Sequence, residues 1–242
     1  MEPDLFKSNI LRLARTTRQM LFSSPESLPG IRTKLGGIPW WPQGITRPSC
    51  SSGHQMAFIA QVSLSDVPGL NSSGLLSFHY CLECVYEGSM AFGHGFDGAG
   101  YRVDVFPSSQ LVARDHLGQV AETVVPDCSV AFRGVIEIPT PDDAGINWED
   151  LPFDYAENKT GDLDENVYPG LVHVARSKVG GWPTWVQAAQ WPDDDPEAWM
   201  FVVQLDYEVG EEVPWAGGGY VYLFVRHEPA GSLKGELVLQ TT

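Results

Sequence analysis

Two short motifs contain the residues of this 242-residue chain that are best suited to bind a metal ion. Cys50 and His54 form a Cys-x3-His motif, and Cys81 and Cys84 form a Cys-x2-Cys motif. Structural zinc sites use cysteine thiolates and histidine nitrogens, and they surround the ion with four protein ligands in a tetrahedron. The two motifs therefore predict one closed zinc site, provided that the fold brings them together.

The segments between the two motifs predict how they meet. The runs MAFIAQVSL, from Met56, and GLLSFHY, from Gly74, have the composition of strands, and the turn-forming segment SDVPGLNSS separates them. In a β-hairpin the start of the first strand lies beside the end of the second. One motif precedes the first strand and the other follows the second, so we expect this hairpin to place all four side chains at the same end.

The sequence leaves two points about this site open. His79 is an alternative fourth ligand, although neighbouring side chains of a strand point to opposite faces. The alternative to a metal site is a group of three reduced thiols near a turn. The fourth cysteine, Cys128, lies in no such motif, and we expect it to be a small buried residue.

A longer motif occurs twice and predicts the architecture around the site. TKLGGIPWWPQ begins at Thr33 and SKVGGWPTWVQ begins at Ser177, and an apolar strand with a central glutamine, Gln61 or Gln204, follows each copy. Matched blocks at a nearly constant spacing indicate two related structural units. The matched motif residues are Lys34, Gly36, Gly37, Pro39, Trp41 and Gln43 in the first copy and Lys178, Gly180, Gly181, Pro183, Trp185 and Gln187 in the second.

The residue types of this motif have physical reasons. A glycine pair permits positive φ or close backbone approach, a proline fixes its own φ, and a tryptophan covers the strands. A buried glutamine without partners costs about 1 to 3 kcal/mol. We therefore expect Gln61 and Gln204 to hydrogen-bond to the backbone of the Gly-Gly turns. The alternative is that the motifs form a pair of related ligand grooves.

Residues 1–24 predict an amphipathic helix. Its apolar stripe with a 3.6-residue period is Phe6, Ile10, Leu13, Thr17 and Met20. Beyond it, short strand-like runs alternate with turn-forming residues. The predicted fold class is therefore α+β: an N-terminal helix followed by a duplicated, mostly antiparallel β-sheet core with a pseudo-twofold repeat. We expect one domain over 1–242, with the first repeat half at 33–121 and the second at 122–242.

The net charge of −16 belongs to the second half of the chain. Residues 1–121 contain nine Lys or Arg and nine Asp or Glu, whereas residues 122–242 contain six and twenty-two. Because an acidic surface repels phosphate groups, we expect neither nucleic acid nor membranes as partners, and a basic protein becomes the expected partner. The alternative is that the acidic segments only keep loops solvated. The chain has neither a long apolar run nor an apolar signal region, so we expect it to be cytoplasmic.

The two motif copies and the strands after them resemble those of the YwqG-like family of bacterial domains of unknown function. The segments that carry the resemblance are KLGGIPWWPQG, MAFIAQVSL, GLLSFHYC, SKVGGWPTWVQ, FVVQLD and GGYVYLFV, between about Thr33 and Val225. This resemblance implies a compact α+β fold on a duplicated antiparallel unit, with immunity or antitoxin roles in bacteria. The signature is also similar to that of the programmed cell death protein 2 family, which implies chaperone or adaptor binding of a basic ribosomal protein.

We interpret the chain as a non-catalytic protein-binding module, of an adaptor, chaperone-like or immunity type, whose acidic half faces the partner. The sequence contains no nucleophile elbow, zinc-protease motif or phosphate-binding loop. The alternative is a small-ligand binder or an enzyme that uses an aromatic groove between the two repeats. Trp40, Trp182 and Trp215 are the candidate binding residues for such a groove.

Overall fold

The fold consists of one large β-sheet with a small two-stranded sheet beside it. In the computed structural model the described residues are 11–25, 30–86, 100–112, 125–139, 143, 171–172, 174–206, 209, 219–229 and 231–240. Within them the strands are β1 Arg15–Ser23, β2 Lys34–Leu35, β3 Trp41–Pro42, β4 Ala57–Ser63, β5 Gly74–Tyr80, β6 Tyr101–Pro107, β7 Leu111–Val112, β8 Cys128–Glu137, β9 Leu171–Val172, β10 Lys178–Gly180, β11 Met200–Leu205, β12 Tyr220–His227 and β13 Leu233–Gln240. A short helix, α1, covers Leu82–Tyr86. No helix in this described part is both long and apolar enough to cross a membrane.

The large sheet curves into a nearly closed barrel. Its strand order is β13-β12-β11-β10-β1-β8-β2-β4-β5-β6, and β9 pairs with β8. The end strands β6 and β13 meet through side chains, because the Tyr101 hydroxyl donates to Glu236 Oε1 at 2.5 Å and Gly235 lies against Val103. This contact covers two edges that would otherwise be open to pairing with another chain.

Side chains from both halves of the sequence fill one core. Ile59 and Phe78 come from the first half and Val203 and Leu223 from the second, and all four are fully buried. A separate aromatic cluster packs on strands β11 to β13. Its buried members are Trp185, Trp199, Phe201, Tyr220, Tyr222, Phe224 and Val238.

The predicted α+β class with an N-terminal helix over residues 1–24 is wrong, because the structure is mostly antiparallel β. Arg15–Ser23 forms strand β1, which pairs along its whole length with β8 and also with β10. Residues 11–13 are helical, and residues 1–10 lie outside the described residues. Backbone pairing on both sides outweighs the local helical pattern, because pairing with distant strands overrides a weak local propensity.

The expected duplicated sheet core with a pseudo-twofold repeat is also wrong, because the strands of both halves belong to one continuous sheet. The motif strands β2 and β10 do not start separate sheets. Strands β1 and β8 lie between them and pair with each other over nine residue positions, from Arg15↔Glu137 to Ser23↔Ser129. A sheet of this kind buries the edges that two separate units would have exposed.

The two motif copies nevertheless have equivalent surroundings in this single sheet. Gln61 Nε2 donates to the Arg32 carbonyl at 2.7 Å, and its Oε1 accepts from the Trp40 N–H at 2.9 Å. In the second copy, Gln204 Nε2 donates to the Arg176 carbonyl at 3.1 Å and Oε1 accepts from the Thr184 N–H at 2.8 Å. Each glutamine therefore joins the chain before the motif lysine to the chain after the glycine pair. The expected bonds to the glycine backbone itself are replaced by bonds to these flanking residues.

The motif lysines form ion pairs with carboxylates at the two ends of β8. Lys34 Nζ lies 2.9 Å from Asp127 Oδ1, just before β8, and Lys178 Nζ contacts Glu137 Oε1 at the end of that strand. The second pair is fully buried, whereas the Asp127 side chain is 21% exposed. Burial lowers the pKa of Lys178, and the Glu137 carboxylate acts in the opposite direction.

The glycine pairs allow close packing around these ions. All four motif glycines have positive φ, between 55° and 77°. A side chain at Gly181 would collide with the Glu137 carboxylate, and one at Gly36 would collide with the Pro126 carbonyl. Only glycine satisfies both the backbone conformation and the available space.

The contribution of the Gln61 hydrogen bonds to stability can be measured. We expect Gln61→Leu to lower the free energy of unfolding by about 2 to 4 kcal/mol, because it removes the hydrogen bonds between the fully buried Gln61 side chain and the Arg32 carbonyl and Trp40 N–H. Urea denaturation measures the change. Gln43→Leu is the matched control, because Gln43 belongs to the same motif and is exposed. Equal losses in the two variants would contradict this role.

A second prediction concerns the buried ion pair between Lys178 and Glu137. Lys178→Met should destabilise the fold by about 3 to 5 kcal/mol, because it leaves the Glu137 carboxylate buried and unpaired. Lys178→Met combined with Glu137→Gln should recover part of that loss, since the unpaired Glu137 charge is then removed. Lys34→Met should cost less than Lys178→Met, because water reaches Asp127. Denaturation midpoints compare the variants, and a double variant less stable than Lys178→Met would show that the charge is not the cause.

Candidate metal centre

The four predicted ligands lie together at one end of the β4–β5 hairpin. Strand β4 pairs with β5 in antiparallel register, with Ala57 opposite Tyr80, which confirms the predicted hairpin. The ligand atoms of the four side chains all lie within 4.8 Å of one another. They belong to Cys50, His54, Cys81 and Cys84.

A tight turn positions the first motif. The Cys50 N–H donates to the His54 carbonyl and the Gly53 N–H donates to the Cys50 carbonyl, both at 2.9 Å. Gly53 has a φ of 86°, a conformation that few other residues adopt. The turn brings both side chains to one side, and the His54 N–H points at Cys50 Sγ from 3.3 Å. An N–H donor of this kind stabilises a thiolate.

The start of helix α1 positions the second motif. Cys81 directly follows β5, and its N–H donates to the Gly100 carbonyl at 2.8 Å. The helix then turns the chain back, so that Cys84 Sγ lies 3.6 Å from Cys50 Sγ and 3.7 Å from His54 Nδ1. The two motifs therefore converge on a single point.

The surroundings of the sulfur atoms affect their protonation. Burial raises the pKa of Cys81 to about 12. Burial also raises the pKa of Cys50, but hydrogen bonds from Cys81 and Cys84 outweigh that effect and bring it to about 7. Of these two thiols, Cys50 therefore ionises at the lower pH. A metal ion would displace the remaining protons when it binds.

The alternative fourth ligand, His79, lies outside the cluster. His79 is 1% exposed and packs between aromatic rings, with centroids 5.0 Å from Trp41 and 5.5 Å from Phe58. Burial, together with Arg47 and Arg102, lowers the pKa of His79 to about 3, so the ring is neutral. The structure places His54 in the cluster instead.

The remaining cysteine and the candidate tryptophans are separate from the cluster. Cys128 is half-buried and packs against the main core. Trp40 is half-buried, and Trp215 lies outside the described residues. Trp182 is buried, with the Arg15 guanidinium 3.3 Å above its ring, and it lines a surface groove.

Sequence reasoning missed two tryptophans of that groove, Trp191 and Trp199. Both lie in the acidic segment WPDDDPEAW, at its two ends. Their residue type was the signal that could have identified them, because tryptophan buries a large area in cores and interfaces.

The chain belongs to the family DUF1963, described as a domain of unknown function, whose model matches residues 33–232. The match is consistent with the expected kind of bacterial family, one without an assigned function. It includes both motif copies and all four residues of the cysteine and histidine cluster. No curated protein matches this chain.

Proposed function

We propose that this DUF1963 protein is a non-catalytic protein-binding module with one structural zinc ion bound by Cys50, His54, Cys81 and Cys84. The convergence of these four side chains supports the zinc site. Four protein ligands complete a tetrahedron and leave no position for a water molecule or a substrate. A closed site of this kind stabilises a fold and carries out no reaction.

The distances in the cluster fit zinc. Zinc–sulfur bonds of about 2.3 Å place the ligands of a tetrahedral site roughly 3.8 Å from one another. Cys84 Sγ lies 3.6 Å from Cys50 Sγ and 3.7 Å from His54 Nδ1. Three thiolates and one imidazole also favour zinc over calcium or magnesium, which prefer oxygen ligands.

The surroundings of the cluster explain why an ion would be useful. The small buried group at this end of the hairpin consists of the three cysteines and Met56. These side chains bury little apolar area, so hydrophobic contact alone gives this end modest stabilisation. A zinc ion would link the turn at Cys50 to the start of α1 and supply the missing cross-link.

We expect purified protein to contain about one zinc ion per chain, as structural sites do. Cys84→Ser and His54→Ala should lower the zinc content, and a strong chelator should lower the melting temperature of the native protein, because metal binding contributes to folding. Elemental analysis and thermal denaturation measure the two effects.

Two control variants separate ligands from other cysteines and histidines. Cys128→Ser removes a cysteine outside the cluster, and His79→Phe removes the alternative histidine and retains an aromatic ring. Both should keep the zinc content of the native protein. A native protein without zinc would defeat the zinc proposal, and zinc loss in His79→Phe but not in His54→Ala would assign the fourth ligand to His79.

The charge distribution supports a basic protein as the partner. Asp194, Asp195 and Glu197 are exposed, and no cation pairs with them among the residues that the structure describes. Unpaired carboxylates attract basic surfaces and accelerate their association. The resemblance to the programmed cell death protein 2 family and to YwqG-like domains supports the same kind of role, as adaptor, chaperone-like or immunity-type protein in the cytoplasm. We propose neither nucleic acid nor a membrane as partner.

We expect affinity-tagged protein to retain a partner protein at low ionic strength and to release it as salt is added, because salt screens attraction between exposed charges. Mass spectrometry identifies the partner, and binding of the purified pair is then measured across a salt series. A partner with a basic surface and a salt-sensitive affinity is the expected result. Retention of no protein, or an affinity independent of salt, would contradict the proposal.

The alternative function, a small-ligand binder or an enzyme, would use the groove beside Trp182. The observation that favours it is the groove itself, which has a volume of about 770 Å³ and aromatic walls. A thermal-shift screen with small metabolites distinguishes the two functions, because a bound ligand raises the melting temperature.

A further inference from the structure

We propose that the groove between Trp182 and Trp199 binds a peptide segment of the partner that contains several lysine or arginine side chains. This inference rests on the proposed protein-binding function and gives it a location and a ligand chemistry. We call this surface the tryptophan groove. Its main lining residues are Leu70, Gly181, Trp182, Trp199, Met200 and Arg226.

Distant parts of the chain form the walls of the tryptophan groove. Pro68–Leu70 follows β4, Gly180–Trp182 lies within the second motif, and Pro196–Phe201 leads into β11. Strands β1 and β12 complete the walls with Arg15–Thr16 and Val225–His227. The walls are mostly apolar, and Met200 is 39% exposed although it is a large hydrophobic side chain. An open apolar groove of about 770 Å³ has room for several side chains of a ligand.

The rim of the tryptophan groove is acidic, and the fold keeps it in place. Trp191 packs on Phe224 with ring centroids 5.3 Å apart, and Trp199 is 6% exposed. These anchors hold both ends of the segment between them. The exposed carboxylates of that segment are Asp193, Asp194, Asp195 and Glu197. Glu197 lines the groove, Asp193 pairs with the lining residue Arg226, and Asp194 and Asp195 lie between them in the chain.

The cations of the tryptophan groove already have internal partners. Arg226 lies 2.9 Å from Asp193 and 3.0 Å from Glu228. Arg15 stacks on Trp182. Burial lowers the pKa of Arg15, and the nearby carboxylates of Asp143 and Glu137 raise it. The remaining carboxylates on the rim have no such partner among the described residues. The surface therefore carries an excess of negative charge.

Arg226 illustrates how this surface binds a cation. Its guanidinium lies 4.8 Å from the centre of the Trp199 ring while it pairs with Asp193. A cation between an aromatic face and a carboxylate is stabilised by a cation–π interaction and by a charge-assisted hydrogen bond. An incoming lysine or arginine would meet the same two kinds of group, an indole wall and a carboxylate rim.

The arrangement of the rim favours a peptide over a single small cation. The unpaired carboxylates Asp194, Asp195 and Glu197 follow one another along the chain, so they match a ligand with several positive charges in sequence. An anionic ligand such as a nucleic acid would be repelled by the same charges. The apolar walls would hold the aliphatic stems of the basic side chains.

The test uses the native 242-residue protein and an array of short synthetic peptides in which each position is varied through acidic, neutral and basic residues. We expect lysine and arginine to be enriched at several positions of the bound peptides. For the best peptide, isothermal calorimetry should show about tenfold weaker affinity with the combined Asp194→Asn, Asp195→Asn and Glu197→Gln variant, because three charge pairs of modest strength are lost. Met200→Lys should weaken binding similarly, since it places a cation in the groove.

Each variant has a matched control. Glu83→Gln removes one exposed carboxylate from α1, and Leu21→Lys adds a cation at an exposed apolar residue of β1. Neither residue lines the tryptophan groove, so both controls should bind the peptide and the partner as the native protein does. Asp193 is left unchanged in the groove variant because it pairs with Arg226.

The outcomes separate this inference from the proposed function. If the native protein binds its partner and the groove variants bind it equally well, the partner uses another surface and the inference fails alone. Selection of acidic or neutral peptides, or an equal loss of affinity in the control variants, also overturns it. If the folded native protein binds neither peptides nor any protein at low salt, the proposed function fails as well.

Discussion

The buried pair between Lys178 and Glu137 is the constraint on which the arrangement of the sheet depends. A buried charge is tolerated only when it is paired and hydrogen-bonded. Glu137 meets this condition because it also accepts the backbone N–H groups of Val174 and Trp182, at 2.9 and 3.1 Å. The pair thus fixes the end of β8 against the second motif. Lys34 fixes the start of β8 against the first motif in the same way, through Asp127.

Strand β8 therefore connects the two motif copies. The candidate functional surfaces lie outside this central part of the sheet. The cysteine and histidine cluster is at the end of the β4–β5 hairpin, where few apolar side chains are buried. The tryptophan groove lies where the second motif meets the loop after β4. Gly181 belongs to both regions, because it packs against Glu137 and also lines the groove.

The candidate metal site was predictable from sequence because its geometry depends on local structure. Two motifs that flank a hairpin must meet when the hairpin forms, and their spacing identifies the three cysteine ligands. The choice between His54 and His79 needed the structure, since the turn before β4 brings His54 to the cysteines, whereas the ring of His79 in β5 packs against Trp41 and Phe58. The groove was harder to predict, because its walls come from segments that are far apart in the sequence, from Arg15 in β1 to His227 in β12. Trp182 was a candidate, whereas Trp199 was not.

The sequence by itself determined the motif pairs, the strand-rich character of the chain, the hairpin and the convergence of the four metal-binding side chains. These features depend on residue types and short-range periodicity. Only the tertiary structure decided that Arg15–Ser23 is a strand and that both halves form one sheet. The physical reason is that strand pairing satisfies backbone groups with partners more than a hundred residues away, as for Thr17 with Val135 and Gly180. Local residue patterns contain no information about such partners.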